Sequence, residues 1–331
     1  MTGDPFSDVL ALADARSVVS GGFTAGGRWG LRFPKPEKIK FFGVVKGECW
    51  LRVQGAKAPV RLEVGDVFLP WQVSFVLASD IAAPQLDARH VFPVGGSTFA
   101  ALGDEETVSV LGCHVKVDEI GAAVLADVLP SLVHIRAASR QATTVQWILE
   151  QLADERESLL PGATLAAAQL AQLMFLQIMR SQLGNIGSLK TGWLRAAADK
   201  RLAPALRLMH GDPARSWRLD ELAKASAMSR TSFAACFRSV AGVAPLAYLS
   251  QWRMRLAQRA LREDERSVSA LAHELGYATE SAFSNAFKRM IGVAPRTYRD
   301  AMRATARNGS ALPQLVDSSA DIPFVDGATV D

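Results

Sequence analysis

The chain has 331 residues, of which 49% are hydrophobic and 21% are charged, and its formal net charge is +4. The apolar fraction is too high, and the net charge too small, for a disordered polyelectrolyte. The length predicts two or three globular domains. The three cysteines lie far apart in the sequence, without the spacing of a metal knuckle or a disulfide framework.

The charge is distributed unevenly along the chain. Residues 1–194 contain 17 basic and 19 acidic side chains, residues 195–303 contain 19 and 10, and residues 304–331 contain 1 and 4. The central block therefore has a net charge of +9 between two acidic flanks. Such a block indicates a surface that meets phosphates. A solvated basic face is the alternative.

Short β-segments with frequent Gly and Pro turns occupy the region from about Arg28 to Leu111. They are predicted at residues 41–45, 49–53, 60–62, 67–69, 73–77 and 107–111. Many short strands separated by such turns favour an antiparallel sandwich or barrel. We therefore assign residues 1–118 to an antiparallel β-barrel.

Residues 119–183 change to a helical pattern. Thr143 or Thr144 is predicted to cap one helix, and Thr164 is predicted to cap a second one. The second helix is apolar around most of its circumference, so it either packs on the barrel or forms a dimer contact. The sequence favours neither of these two interpretations over the other.

Two further segments have no periodic pattern. Residues 184–194 are rich in turn formers and are predicted to be a linker. Residues 304–331 contain four Asp and few apolar side chains, and they are predicted to be a disordered acidic tail.

The basic block contains an internal repeat. Five residues recur after 50 positions: Phe233 and Phe283, Phe237 and Phe287, Gly242 and Gly292, Pro245 and Pro295, Tyr248 and Tyr298. The dipeptide Leu222-Ala223 recurs after 49 positions, as Leu271-Ala272. The second copy therefore has one residue more in its turn.

Each copy has the pattern of a helix-turn-helix. A short helix with Leu-Ala is followed by a turn, and then Ser229 or Thr279 is predicted to cap a second helix. A buried stripe is predicted at i, i+3, i+4 and i+7 of that helix. Its members are Phe233, Cys236, Phe237 and Val240 in the first copy, and Phe283, Ala286, Phe287 and Met290 in the second. Gly242 and Gly292 are predicted as the left-handed residues that end these helices.

This block resembles the DNA-binding domain of AraC/XylS-type transcriptional regulators. The resemblance covers residues 199–299, including both Gly-x-x-Pro-x-x-Tyr endings and a connecting helix from Pro245 to about Arg262. It implies a C-terminal all-α domain, residues 195–303, in which a long helix joins two helix-turn-helix motifs. The second helix of each motif would then enter one of two successive major grooves of double-stranded DNA.

The buried stripes leave an outward face on each recognition helix, which also matches the positions that contact bases and phosphates in the family. These positions are Arg230, Thr231, Ala234, Ala235 and Arg238 in the first helix, and Glu280, Ser281, Ser284, Asn285, Lys288 and Arg289 in the second. Asn285 can pair with adenine and Glu280 can accept from cytosine, whereas the first helix offers mainly apolar contacts. We expect Arg230 and the second helix to supply most of the direct readout, and the other basic side chains to bind phosphates.

The barrel region resembles the cupin fold in its segments 44–47 and 61–70, and its place before the basic block resembles the sensory domain of the same regulators. Many cupins are metalloenzymes, so a cupin-type enzyme that carries a DNA-binding module is the alternative function. Where cupins have metal ligands, this sequence has Phe33, Lys35, Lys40 and Phe75. Neither Lys nor Phe can replace His or a carboxylate as a ligand. We therefore predict no metal, no cofactor and no catalytic residue.

Aromatic residues of the barrel are the candidate lining of a site for an unknown, mostly apolar small-molecule effector: Trp50, Trp71 and Phe75. Nearby basic residues, from Arg28 to Lys40, would favour an anion; ordinary core and surface explain both features as well. Cys49 and Cys113 would respond to oxidants if they met across the barrel, but two buried, inert thiols are favoured.

Together these patterns predict an α+β protein with an N-terminal cupin-like barrel plus helices and a C-terminal double helix-turn-helix. Its predicted function is ligand-responsive, sequence-specific transcriptional regulation in the cytoplasm, on double-stranded DNA. RNA polymerase and a second copy of the chain, in a homodimer, are further candidate partners. No membrane partner is expected, because the N-terminal segment lacks the features of a secretory signal and the longest apolar stretch is too short to span a bilayer.

Overall fold

The computed structural model describes residues 4–92, 98–117, 119–126, 129–139, 142–158, 160–183, 191–263 and 266–308. The chain divides into two compact units. The first comprises Thr2–Ala203 and Cys236–Gly242, and the second comprises Pro204–Ala235 and Val243–Asp331. Most of the predicted linker, and the predicted tail beyond Asn308, lie outside the described residues.

The first unit contains two facing β-sheets. Its strands are β1 (Arg16–Ala25), β2 (Gly30–Phe33), β3 (Ile39–Lys46), β4 (Cys49–Val53), β5 (Val60–Leu62), β6 (Val67–Pro70), β7 (Phe75–Ala78), β8 (Leu86–Asp87), β9 (Phe99–Leu102), β10 (Val108–Lys116) and β11 (Leu132–Ile135). One sheet has the order β11-β6-β3-β10-β1-β9, and the other has the order β5-β4-β7-β2-β8. Short helices α1 (Pro5–Leu12), α2 (Ala88–Val91) and α3 (Glu119–Ala126) accompany them.

The two sheets enclose one apolar core, because successive side chains of each strand point to opposite faces. Val108 and Val110 of β10 point into this core together with Leu51 of β4 and Leu77 of β7. Leu111 and Cys113 of β10 face the other way, toward the helices that follow the sheets.

Several strands differ from the sequence-based prediction. Strands β4 and β5 coincide with the predicted segments, whereas β1, β2, β8, β9 and β11 were not predicted. β1 was missed because glycines at its bulge interrupt the apolar alternation, and β11 falls within the segment predicted to be helical. The β1–β9 and β2–β8 pairings are parallel, so the predicted purely antiparallel arrangement is corrected at these two sheet edges.

Three helices follow the sheets: α4 (Ala142–Glu157), α5 (Ala163–Leu183) and α6 (Trp193–Ala198). α4 packs against β3, and α5 packs against β1 and β11. α5 therefore packs on the sheet, as one of the two interpretations of its sequence predicted. The predicted caps are wrong, because Thr143, Thr144 and Thr164 lie inside the first turns of their helices. α6 begins within the segment predicted to be a linker.

The second unit is helical in its described residues. Its helices are α7 (Ala203–Gly211), α8 (Leu219–Ala225), α9 (Arg230–Ala241), α10 (Pro245–Glu263), α11 (Val268–Glu274), α12 (Glu280–Ile291) and α13 (Pro295–Asn308), with the last half of α9 assigned to the first unit. α13 extends to Asn308, five residues beyond the predicted boundary at residue 303. The predicted connecting helix corresponds to α10.

The local features predicted for the repeat are confirmed. Ser229 Oγ accepts from the Ser232 amide at 3.2 Å, and Thr279 Oγ1 accepts from the Ala282 amide at 3.1 Å. Gly242 and Gly292 have φ values of +80° and +88°, in the left-handed region where glycine is favoured.

The extra residue of the second copy lies in its turn. Ala227 has a φ of +52° and Gly276 has a φ of +78°, at equivalent points of the two turns. Two positions separate Ala227 from its cap Ser229, whereas three separate Gly276 from its cap Thr279. Gly276 cannot be replaced without rearrangement, because a Cβ there would lie 1.9 Å from the Ala214 carbonyl oxygen.

Three members of the predicted buried stripes are less buried than predicted. Met290 is 40% exposed, whereas Val240, its counterpart in the first copy, is 4% exposed. Cys236 and its counterpart Ala286, which were predicted to be buried, are only half-buried. The i+7 position lies at the end of each recognition helix, where the number of covering side chains depends on the neighbouring structure rather than on the helical period.

Within the described part of the chain, no single helix is long and apolar enough to cross a membrane. The helices α9 and α10 together meet the criterion of length and composition, but they are bent by 50° at their junction.

Candidate nucleic-acid interface and sensory cavity

The two recognition helices, α9 and α12, have the same pattern of burial. Phe233 and Phe237 are fully buried in α9, and Phe283 and Phe287 are fully buried in α12. Exposed, half-buried and buried positions follow one another in the same order in residues 231–238 and in residues 281–288. The repeat in the sequence therefore produces two helices whose outward faces have the same pattern of exposure.

The structure places all the predicted DNA-contacting residues on these outward faces. The exposed ones are Arg230, Thr231, Ala235, Arg238, Ser281, Asn285, Lys288 and Arg289, and the half-buried ones are Ala234, Glu280 and Ser284. The two faces differ in chemistry. The middle of the α9 face consists of alanines, whereas the α12 face has a serine and an asparagine there.

An ion pair lies at the N-terminal end of each recognition helix. The Arg230 guanidinium is 3.6 Å from the Asp220 carboxylate, and Arg296 donates to Glu280 Oε1 at 3.0 Å. The sequence reasoning did not single out Arg296, although its place directly after Pro295 in the repeat would have located it. Arg296 brings positive charge next to the only predicted acidic reader.

The second helix-turn-helix is held by an apolar core between α10, α11, α12 and α13. Leu261, Leu271, Phe287 and Tyr298 meet in this core, one from each helix. The Phe287 and Tyr298 rings pack edge to face, with their centroids 5.6 Å apart. This packing fixes the outward face of α12 relative to the helix that connects the two motifs.

A half-buried arginine of the connecting helix holds the loop before α8. Arg253 Nε donates to the Pro213 carbonyl at 2.6 Å, and its Nη2 donates to the Arg215 carbonyl at 2.9 Å. Sequence reasoning missed this residue, because an arginine in a basic amphipathic helix has no pattern that distinguishes a structural role from phosphate binding.

A cavity of about 310 Å³ opens between the two sheets of the first unit. Its lining includes the rings of Phe33, Phe42 and Phe92, and two cationic side chains, Lys40 and Arg89. The volume is that of a small-molecule site.

Of the three aromatic residues predicted to line a ligand site, only Phe75 contacts the wall of this cavity. Phe75 stacks on Phe33 with a centroid distance of 4.7 Å, so it supports the cavity wall from behind. Trp50 is on the outer side of β4, opposite the buried Cys49 and Leu51, and Trp71 also lies outside the lining. The alternation of β4 sends Trp50 outward, and this corrects its assignment to the lining.

The cavity does not suit a metal of the cupin type. Phe33 and Lys40, which occupy positions where cupins have metal ligands, line the cavity. The described lining includes no His, Asp, Glu or Cys. No group of three or more such side chains that could hold a metal ion occurs among the described residues.

The two buried cysteines lie on opposite sides of the six-stranded sheet. Cys49 belongs to the core between the sheets, and Cys113 lines a small void beneath α4 and α5 together with Leu149 and Met174. Burial raises the pKa of each thiol to about 12. Both are therefore protonated and inert at neutral pH, in contrast to an oxidant-responsive pair.

Comparisons with known proteins agree with both halves of this structure. A family model described as Cupin matches residues 4–184, and a model described as a helix-turn-helix domain matches residues 222–301. An AraC-like transcription regulator from Streptomyces lividans is 39% identical over 297 residues, which cover 89% of this chain and 98% of that protein. This chain belongs to the AraC-like transcription regulators.

Two further proteins are similar to this chain over different shares of its length. The transcriptional regulator AlkR from Acinetobacter baylyi is 35% identical over 283 residues, covering 82% of this chain and 91% of that protein. The solved DNA-binding domain of AdpA in complex with a target DNA is 30% identical, and it covers 34% of this chain and 100% of that domain with a TM-score of 0.31.

The protein is thus a DNA-binding transcription regulator with an N-terminal cupin domain. The family resemblance, the α+β fold class and the DNA-binding function predicted from the sequence are confirmed.

Proposed function

We propose that this AraC-like regulator reads a specific site on double-stranded DNA with both recognition helices, and that a small molecule in the cupin domain controls this reading. The observation that carries the proposal is the identical burial pattern of residues 231–238 and 281–288. Two recognition helices with the same burial pattern, one in each helix-turn-helix, suit two successive major grooves. The net charge of +9 over residues 195–303 supplies the attraction to phosphates.

The two helices divide the work of recognition in this proposal. The alanines of the α9 face contact thymine methyl groups, and Arg230 reads a guanine at the end of that helix. On α12, Asn285 pairs with adenine, while Lys288 and Arg289 bind phosphates. Glu280 keeps Oε2 for a cytosine amino group while its Oε1 accepts from Arg296.

The first prediction concerns base readout. Asn285→Ala should weaken binding to the specific site by about 1 to 3 kcal/mol and leave random duplex DNA almost unaffected, because the lost hydrogen bonds are made to a base edge. Fluorescence anisotropy with both DNAs measures this. Ser239→Ala is the control, since Ser239 Oγ donates to the Cys236 carbonyl of its own helix. An equal loss on both DNAs would reassign Asn285 to the backbone.

The second prediction concerns phosphate binding. Arg238→Ala should weaken binding to every duplex and reduce the slope of log K against log salt by about one unit, because one counterion fewer is released. Titrations at several salt concentrations measure the slope. Arg52→Ala, an exposed arginine of β4 in the first unit, should leave it unchanged. An unaltered slope in Arg238→Ala would exclude a phosphate contact.

A short helix next to the linker supports control of DNA binding by the first unit. The Trp193 indole N–H donates to the Val124 carbonyl at 2.8 Å, and its ring packs near Phe6. The adjacent Gly192 amide donates to the Val240 carbonyl, in the last turn of α9, at 3.0 Å. A ligand that stabilises one arrangement of this unit would thereby bias the first recognition helix, which requires only different affinities for two arrangements.

The proposal includes a homodimer and contact with RNA polymerase. In support of a second copy, α4 and α5 expose large apolar side chains, with Trp147 51% and Leu165 67% exposed. Sedimentation analysis of the wild type and of Leu165→Lys tests the dimer.

The protein has no enzymatic activity of its own in this proposal, and it acts in the cytoplasm, where its DNA is.

The experiment that tests the proposed function is footprinting of the full chain on the DNA that flanks its own reading frame. A protected region that spans two successive major grooves supports the proposal. Uniform binding along the fragment, without a protected site, would overturn it.

A further inference from the structure

The cavity between the sheets gains space at one glycine of β10. β1 has a bulge between Val19 and Gly21, and Gly21 pairs with Gly112 of β10. Both glycines line the cavity, but a Cβ at Gly21 would lie 1.6 Å from the Thr98 carbonyl oxygen, so Gly21 allows a close backbone approach and Gly112 leaves the room. A Cβ at Gly112 would lie 3.3 Å from the Phe42 ring, so a side chain there would occupy space beside this ring. The strands thus leave room at a point where the core would otherwise be filled.

The walls of the cavity are flat and apolar. The Phe33 ring is tilted against Phe42 at a centroid distance of 5.8 Å and lies nearly parallel to Phe92 at 6.5 Å. Such faces bind planar apolar groups, which stack or pack edge to face on them.

One cation of the lining is neutralised and one is not. Arg89 donates from Nε and Nη2 to the two carboxylate oxygens of Asp87, at 3.0 and 2.7 Å. Lys40 has no ion pair among the described residues, and the described lining contains no carboxylate. Lys40 is half-buried as a residue, and an anionic ligand would give its ammonium a counterion and a charge-assisted hydrogen bond.

The surroundings of Lys40 are electropositive. His114 lies opposite Lys40 in the β3–β10 register, and its pKa is lowered by burial and by the charges of Lys38, Lys116 and Lys40. The imidazole therefore adds no positive charge at neutral pH, and the positive charge around Lys40 comes from Lys38 and Lys116.

We propose that this cavity binds an apolar carboxylate with an aromatic body, whose carboxylate pairs with Lys40 and whose ring packs on Phe33, Phe42 and Phe92. A neutral apolar molecule would leave the ammonium uncompensated, and an apolar amine would be repelled. Binding of this ligand does not depend on the proposed function; only its role as the effector rests on it.

Isothermal titration calorimetry on the full chain tests the inference with three probes of one shape: 4-phenylbutyrate, 4-phenylbutanol and 4-phenylbutylamine. The acid should bind, the alcohol should bind at least about 10-fold more weakly because it lacks the charge-assisted hydrogen bond, and the amine should not bind. Equal affinities of acid and alcohol, or no binding of the acid, would overturn the inference.

Variants locate the binding within the cavity. Lys40→Met should reduce the affinity for the acid to that for the alcohol, and Lys40→Arg should preserve it within about 3-fold, since the charge remains. Lys57→Met, which removes an exposed cation of the β4–β5 turn, should change nothing. Gly112→Leu should abolish the binding of acid and alcohol together by filling the space. Retained binding of the acid in Lys40→Met or in Gly112→Leu would contradict this location.

The same samples separate this inference from the proposed function. If the acid binds as expected but the footprint does not respond, the cavity assignment stands and the effector role fails. If no footprint forms with or without the acid, sequence-specific DNA binding fails, whatever the calorimetry shows.

Discussion

Asp66, in the turn before β6, shows how one buried charge holds two strands together. Its Oδ1 accepts from the Ala137 amide at 2.7 Å, and its Oδ2 is 2.9 Å from Nε2 of His134 on β11. Burial opposes ionisation of this carboxyl, but hydrogen bonds from His134, Ala137 and Glu63 outweigh it and lower its pKa. No local sequence pattern links these two residues, because they are 68 positions apart.

The third prediction follows from this lowered pKa. Asp66 stabilises the fold above the ordinary carboxyl pKa of about 3.9, and this contribution is lost as the pH falls through the lowered folded-state pKa. Asp66→Asn should therefore lower the free energy of unfolding by about 1 to 3 kcal/mol at pH 5, and the difference from the wild type should shrink below pH 4. Urea denaturation at each pH measures it, with the exposed Asp104→Asn as control. A difference that grows in acid would contradict this assignment.

At the scale of elements, the repeat specifies two similar helices but not their full environment. Residues at i, i+3 and i+4 have the same burial in α9 and α12, because the same helical period recurs in both copies. The i+7 residues differ, since Val240 is buried and Met290 is 40% exposed.

The fourth prediction uses this difference between equivalent positions. Val240→Ala should lower the free energy of unfolding by about 2 kcal/mol, because it removes buried methyl groups and leaves a cavity. Met290→Ala should change it by less than about 0.5 kcal/mol, as at an exposed helix position. Denaturation followed by circular dichroism compares the two variants, each serving as the matched control for the other. Equal losses would show that Met290 is covered as its period suggests.

At the scale of the whole molecule, the charge is arranged so that a modest total of +4 contains a block of +9. The segment after Asn308 has four Asp and no basic residue. Its negative charge opposes the attraction of the basic block to any phosphate backbone. We therefore expect the whole chain to bind non-specific DNA less tightly than residues 195–303 alone.

The fifth prediction tests this effect of the tail. Four simultaneous Asp→Asn substitutions should raise the affinity for random duplex DNA roughly two- to five-fold in low salt, and the gain should vanish near 0.5 M salt, where charges are screened. The positions are Asp317, Asp321, Asp326 and Asp331. Ser318→Ala with Ser319→Ala is the control in the same segment. A gain that persists in high salt would exclude an electrostatic cause.

The sequence by itself determined the DNA-binding half, because a duplicated motif is specified locally: caps, a helical period, a left-handed glycine and a proline all lie within a few residues of each other. The cavity was decided by the tertiary structure. Lys40 and Phe33 lie on strands of different sheets and Phe92 follows α2, so they meet only when the two sheets pack against each other. The alternation within a single strand does not show which of its faces will be the inside. Trp50 was misplaced for that reason. Long-range register, rather than local pattern, sets which side chains a ligand would touch.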